Sequence, residues 1–389
     1  MMERSQSKRA LTFVVLMGLI SLFSDATYEG ARSITGPFLE VLKASAAVVG
    51  IVAGFGEFAG YGLRLVFGYL ADRTKRYWTL TILGYTVNLL AVPVLALVSH
   101  WWLAAVFIVL ERIGKAIRTP SRDAMLSYAS CEVGRGFTFG LHEALDQIGA
   151  ILGPLFVAWV LSGRGSYNQS FAYLLIPAII ALGILMVTRF IYPTPQHFEP
   201  LTPELTPRGL SRAFKLYLVS MALIAAGYAD FPLIAYHMEH HSVASPEWIP
   251  LLYATAMGVD ALAAIVLGKL FDRMGLKVLF VPILVSMFFP IFAFSQYFHG
   301  AFLGMILWGI GMGSQESIMR AAVANMVSSE KRATAYGIFN SVFGACWFGG
   351  SALMGILYDV SVSALVAFSV AIQALAVLTL WITIRSRRS

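Results

Sequence analysis

Twelve apolar stretches, most of them twenty or more residues long and separated by short polar breaks, fill the chain from about residue 11 to residue 385. A helix needs about 20 apolar residues to cross a bilayer core, so twelve crossings use roughly 240 to 270 residues and leave only short loops. Within lipid the backbone amides and carbonyls must all be bonded, and apolar runs of this length match helices rather than the roughly 9 to 11 residues of a barrel strand. The rest of the composition agrees: 58% of the 389 residues are hydrophobic and 13% charged, and the mean hydropathy is +0.74. That is too apolar for an ordinary soluble domain. The expected fold class is therefore an all-α membrane protein with twelve transmembrane helices.

The net charge of +7 would point to nucleic acid in a soluble protein, but here the position of the charges carries the information. Lys and Arg fill alternate gaps: Arg4, Lys8 and Arg9; Arg73, Lys75 and Arg76; Arg122 and Arg135; Arg208, Arg212 and Lys215; Lys269, Arg273 and Lys277; Lys331 and Arg332; Arg385, Arg387 and Arg388. The intervening gaps hold little beyond Lys43 and Arg164. The positive-inside rule places the first set in the cytoplasm, with both termini, and predicts an even number of spans. Only Cys131 and Cys346 are present, in cytoplasmic or membrane segments, so no structural disulfide is expected. The basic N-terminus is followed by an apolar run without a small-residue cleavage site, which reads as a retained first span over 11–40.

The chain is also duplicated. Gly68-Tyr-Leu-Ala-Asp72-Arg73-Thr-Lys-Arg76 returns two hundred residues later as Gly268-Lys-Leu-Phe-Asp272-Arg273-Met-Gly, each time at the inner end of a span. An offset of 197 independently aligns Arg135 with Arg332, Phe139 with Tyr336, Gly140 with Gly337 and Gly153 with Gly350. Five prolines between Pro193 and Pro207, with several charges, mark a linker. The expected organisation is an N-terminal six-helix bundle over 1–192, a cytoplasmic linker over 193–212 and a C-terminal six-helix bundle over 213–389, related by pseudo-two-fold symmetry, with the spans of the second half expected at about 213–239, 247–271, 277–298, 300–326, 333–358 and 361–385.

About fifteen ionisable side chains fall within the spans, and each would cost about 2.5 to 3.5 kcal/mol at a helix centre facing lipid. They are expected to line a wet cavity or to pair. Asp25, Glu29 and Arg32 share one face of span 1. At that depth low dielectric and mutual repulsion favour a proton on Asp25 or Glu29, with Arg32 as the cation that pairs when the proton leaves; the alternative is a salt bridge that only closes a gate. Glu57 and Arg64 share a face of span 2, and Glu111, Lys115, Arg118 and Arg122 form a stripe on span 4 beside Arg112. With His142, Glu143 and Asp146 of span 5, and Tyr228, Asp230, Asp260 and Glu316 of the second half, they are the candidate lining of a mixed-charge substrate cavity. Such a lining suits an amphiphilic or zwitterionic substrate.

Gly68, Asp72, Arg73 and Arg76, with Gly268, Asp272 and Arg273, read as a charge latch across the inner helix ends. Gly140, Gly149, Gly153 and Pro154 read as a packing and bending rhythm in span 5. His237 and His241 would share a face, but without a completing ligand set a polar outer loop accounts for them, so no metal site is expected. No phosphate loop, nucleophile elbow or HExxH occurs, which leaves ATP-driven pumping and hydrolysis without a site.

At these motifs the chain resembles the major facilitator superfamily of secondary transporters. The Gly68 to Arg76 stretch looks like that superfamily's loop 2-3 motif, with Lys75 where glycine is usual. Gly140-x8-Gly149-x3-Gly153-Pro154 resembles the span 5 motif of its antiporters, with Val157 and Ala158 in place of a trailing glycine pair. Asp25-x3-Glu29, the Glu111 to Lys115 run and Arg122-Asp123 resemble a bacterial efflux-permease subgroup, in which an arginine is usual at the position of Ile108. The resemblance implies two bundles rocking around a central site. It also implies proton-coupled export of a small organic molecule across a bacterial inner membrane, driven by a proton gradient without a cofactor. The expected partners are the substrate, protons and lipid, with no nucleic acid, and the chain is expected to act as a monomer. The alternatives are an importer or uniporter of a nutrient or metal chelate, and a non-transporting membrane receptor.

Overall fold

The computed structural model describes residues 2–133, 135–193, 212–319, 322, 323, 326 and 332–386. The linker read at 193–212 lies almost wholly outside the described residues, as do the side chains of Asp272 and Glu316. The described residues are helical throughout, with short turns. In chain order the helices are α1 (Met2–Val41), α2 (Ala46–Thr74), α3 (Tyr77–Val94), α4 (Trp101–Val133), α5 (Arg135–Ser162), α6 (Tyr167–Tyr173) and α7 (Leu175–Ile191). There follow α8 (Arg212–Gly227), α9 (Phe231–His240), α10 (Trp248–Met274), α11 (Phe280–Ser286), α12 (Phe289–Ala293), α13 (Phe298–Ser314), α14 (Arg332–Val360) and α15 (Val362–Ser386).

Among the described residues ten stretches are both long and apolar enough to cross a membrane. Helix α4 is not one of them, because Glu111, Arg112, Lys115, Arg118 and Arg122 lie inside it. Arg118 on this helix is fully buried and Glu111 and Arg112 nearly so, while Trp102 and Val106 are exposed. The protein is a multi-pass membrane protein.

Two compact units emerge from the packing: Met1–Arg32 with Ala59–Thr202, and Ser33–Phe58 with Pro203–Ser389. In the first, Phe13, Trp78, Tyr85, Met125, Leu185 and Tyr192 belong to one buried apolar core. Its aromatic members are tied at their polar ends: Trp78 Nε1 donates to the Tyr192 carbonyl at 2.9 Å and the Tyr192 hydroxyl to the Arg9 carbonyl at 3.0 Å. Helices α3 and α4 lie so close that a Cβ on Gly84 would strike the backbone of Arg118, and one on Gly114 the backbone of Asn88. Glycine is required at such an approach.

In the second unit the expected single helix over 213–239 is broken between α8 and α9. Asp230 caps α9, accepting from Phe231 N at 3.1 Å, and Pro232 occupies the first turn, where its missing N–H is no loss. The carbonyls freed at the break find side-chain donors. Trp308 Nε1 bonds Ala229 O at 3.0 Å, while Ser369 and Gln373 both bond Gly227 O. The stretch expected as one helix over 277–298 is likewise divided, into a 3-10 turn (Gly275–Leu279), α11 and α12, with Pro290 in the first turn of the last.

Candidate functional site

Asp25 stands in the middle of α1 within the first unit, on the face that meets α4 and α5. Helix α5 reaches this turn because Gly149 and Gly153 carry no side chain: a Cβ on Gly149 would strike Leu22 O and lie 3.0 Å from Asp25 Cβ, and one on Gly153 would strike Ala26 O. The span 5 glycine rhythm thus sets the wall behind Asp25. In front of it one carboxylate oxygen accepts from the Tyr28 hydroxyl at 2.8 Å, and Lys115 Nζ donates to that same hydroxyl at 2.6 Å. The other oxygen lies 3.8 Å from the Arg118 guanidinium, which is fully buried and stacks 4.3 Å from the Tyr85 ring centre. Asp25 itself is only 6% exposed. Two cations therefore address one buried carboxylate, one directly and one through a phenol.

Around this pair the remaining charges of α1 and α4 are matched locally. Glu29 faces Arg32 at 4.0 Å, Glu111 holds Arg112 at 3.1 Å, and Glu111 also accepts from Asn88 at 2.7 Å. Further along α4 Arg122 bonds Asp123 at 2.9 Å and Ser21 at 3.4 Å, and His142 faces Asp146 at 3.4 Å one turn apart on α5.

Comparison with known proteins agrees with this architecture. The profile of the Major Facilitator Superfamily matches residues 14–241 and 216–389. The chain belongs to the Major Facilitator Superfamily. An uncharacterized protein of Mycobacterium tuberculosis is 41% identical over 381 residues, 96% of this chain and 93% of its own. An uncharacterized MFS-type transporter of Methanocaldococcus jannaschii is 27% identical over 359 residues, 90% of this chain and 89% of its own. Among solved structures, the nucleoside transporter NupG shares the fold with a TM-score of 0.73 at 16% identity, covering 97% of this chain and 99% of that one. This superfamily member is a transporter, not an enzyme.

The other candidate residues are distributed unevenly over the superfamily scaffold. Arg64 stacks over Tyr61 at 4.9 Å on α2, Glu57 on the same helix is half-buried, and Glu143 is exposed. In the second unit Asp230 serves as the α9 cap and also accepts from Trp347 Nε1 at 3.2 Å, Tyr228 donates to the Trp308 carbonyl, and Asp260 is buried. Asp72, Arg73, Arg76 and Arg273 are exposed at their helix ends, with Gly68 and Gly268 half-buried. His237 is held by Tyr358 at 2.9 Å and approaches Ser295 O at 3.4 Å, and its ring lies 4.6 Å from that of His241. Gly140 is exposed and has no atom near its Cβ position, so the close packing in α5 begins at Gly149.

Sequence reasoning did not name Tyr28 and Asn88 as members of the charged network. A signal was present in both. Tyr28 follows Asp25 by three positions, and Asn88 is the lone amide in an otherwise apolar span.

Proposed function

We propose that the protein is a proton-coupled exporter of a small amphiphilic organic molecule, working by alternating access in a bacterial inner membrane with both termini in the cytoplasm. The observation that carries the reading is the buried Asp25 carboxylate, addressed by Arg118 at 3.8 Å and by Lys115 through Tyr28. An ionised carboxylate at this place needs its cations, and a protonated one releases them. Proton uptake at Asp25 would thus free Lys115 and Arg118 to turn toward another partner, which is the exchange that antiport requires. In this arrangement Arg118 and Lys115 take the part that the sequence assigned to Arg32, whose near neighbour is Glu29. The export direction draws on the α5 rhythm at Gly149, Gly153 and Pro154.

The test is proton flux in proteoliposomes loaded with a pH-sensitive dye and challenged with lipophilic cations, zwitterions and organic anions in turn. Wild-type protein is expected to move protons with one class, and Asp25→Asn to bind that class without proton movement. Equal flux in wild type and Asp25→Asn would remove Asp25 from the coupling. Right-side-out against inverted vesicles separates export from import. Binding without any flux would leave the receptor reading instead.

A further inference from the structure

Helix α2 begins at Ala46, and its N-terminal amides are bonded from an unexpected quarter. Asp359, one residue from the end of α14, accepts from Ala46 N at 3.1 Å and from Ala47 N at 3.0 Å; Ser45 Oγ takes Val48 N at 3.3 Å. An acidic residue in the last turn of a helix opposes that helix's own macrodipole. Asp359 is therefore poorly placed for α14 and well placed for α2, whose N-terminus presents unsatisfied donors and partial positive charge. The two carboxylate oxygens supply two of the caps that α2 lacks.

The contact lies in a larger clasp within the second unit. A Cβ on Gly50 would strike Ser351 O, one on Gly355 would crowd Ala46 and Ala47, and Phe55 and Phe58 lie against Phe348 at 5.8 and 6.0 Å. Beside it, Gly36 lets α1 close on the backbone of Pro232, Tyr236 donates to Ala44 O at 3.3 Å, and His240 meets Glu40 at 3.3 Å. The apolar packing brings the helices together, and Asp359 is an exposed carboxylate at its rim. An exposed cap can be exchanged for water, so it holds without locking.

We propose that Asp359 is a positioning residue of the transport cycle: its carboxylate caps α2 when the outer helix ends are clasped and gives up the cap to water when they part. This rests on the alternating-access reading above. It assigns to the outer ends of α2 and α14 a carboxylate latch, matching the one read from Asp72 at the inner end of α2. Asp72 is exposed in the same structure in which Asp359 is bonded.

Spin labels at Val41→Cys and Val360→Cys, with Cys131→Ser and Cys346→Ser, report the outer separation in proteoliposomes. Both labelled positions are exposed. Wild type is expected to populate a short and a long distance. Asp359→Ala should raise the ratio of long to short by about fivefold, the size of a typical lost N-cap, and Asp359→Asn, which keeps one acceptor, by less. Thermal unfolding of the same proteins separates latch from scaffold. An unchanged ratio beside a lowered unfolding temperature makes Asp359 a structural cap and overturns the inference. A single distance in wild type and both variants overturns alternating access itself, and the latch with it.

Discussion

Arg118 is the residue on which the charged centre of the first unit depends. It is fully buried, its nearest carboxylate is Asp25 at 3.8 Å, and the ring of Tyr85 covers it. Removing one member of a buried ion pair leaves a charge in low dielectric and costs about 3 to 5 kcal/mol, whereas removing both often costs little. Arg118→Met is therefore expected to destabilise the detergent-solubilised protein by about 3 kcal/mol, and Arg118→Met with Asp25→Asn to recover most of that loss. Denaturant titration of the four proteins of the cycle checks it; additive losses would mean that Asp25 and Arg118 do not act as a pair. Tyr28→Phe keeps the ring under Lys115 and removes only the hydroxyl, so it should leave stability within about 1 to 2 kcal/mol of wild type. It should also lower the number of protons moved per substrate in the liposome assay; an unchanged ratio would show that Lys115 reaches Asp25 without the phenol. The sequence displayed Asp25, Lys115 and Arg118 as candidates because charge in an apolar span is conspicuous. It could not display their pairing, because helix spacing orders residues on one face and says nothing of which face of α4 meets α1. Arg32, three residues from Glu29, was the partner that spacing alone could propose.

Helix elements show where local rules sufficed and where packing decided. The apolar runs located the spans, and of the glycines in the α5 rhythm Gly149 and Gly153 meet the backbone of Leu22 and Ala26 of α1, whereas Gly140 has open space beside it. The break between α8 and α9 was written in Asp230-Phe-Pro232, a cap followed by a proline in the first turn, but hydrophobicity carried the reading straight across it. What makes the break tolerable lies far away in sequence: Trp308, Ser369 and Gln373 supply the donors for Gly227 and Ala229. Trp308→Phe is accordingly expected to cost about 1 to 3 kcal/mol by leaving the Ala229 carbonyl buried without its donor. Gly149→Val places side-chain atoms where the α1 backbone runs and should cost about 1 to 3 kcal/mol, chiefly in the first unit. Amide hydrogen exchange would distinguish the two variants, since Trp308→Phe should loosen α8 and α9 and Gly149→Val should loosen α1 and α5. The opposite assignment would contradict the packing of Trp308 on Ala229 and of Gly149 on Leu22.

At the scale of the whole molecule the distribution of basic residues makes a prediction independent of any side-chain contact. Arg73, Lys75 and Arg76 are exposed at the break between α2 and α3, while the breaks at Lys43 and Arg164 carry one basic residue each. Lys and Arg near the ends of spans resist translocation, and Asp and Glu contribute little, so the crowded breaks are expected on the cytoplasmic side. Counting alternately from the break after α2, the C-terminal Arg385, Arg387 and Arg388 fall on that same side. A fluorescent protein fused after Ser389 should therefore fold and emit in the cytoplasm, and alkaline phosphatase fused there should be inactive. The same phosphatase fused after His100, in the sparse break before α4, should be active. Reversed activities would invert the membrane orientation. The Asp359 latch would then lie at the cytoplasmic face and the Asp72 cluster outside, and the direction of export argued from α5 would have to be turned round with them.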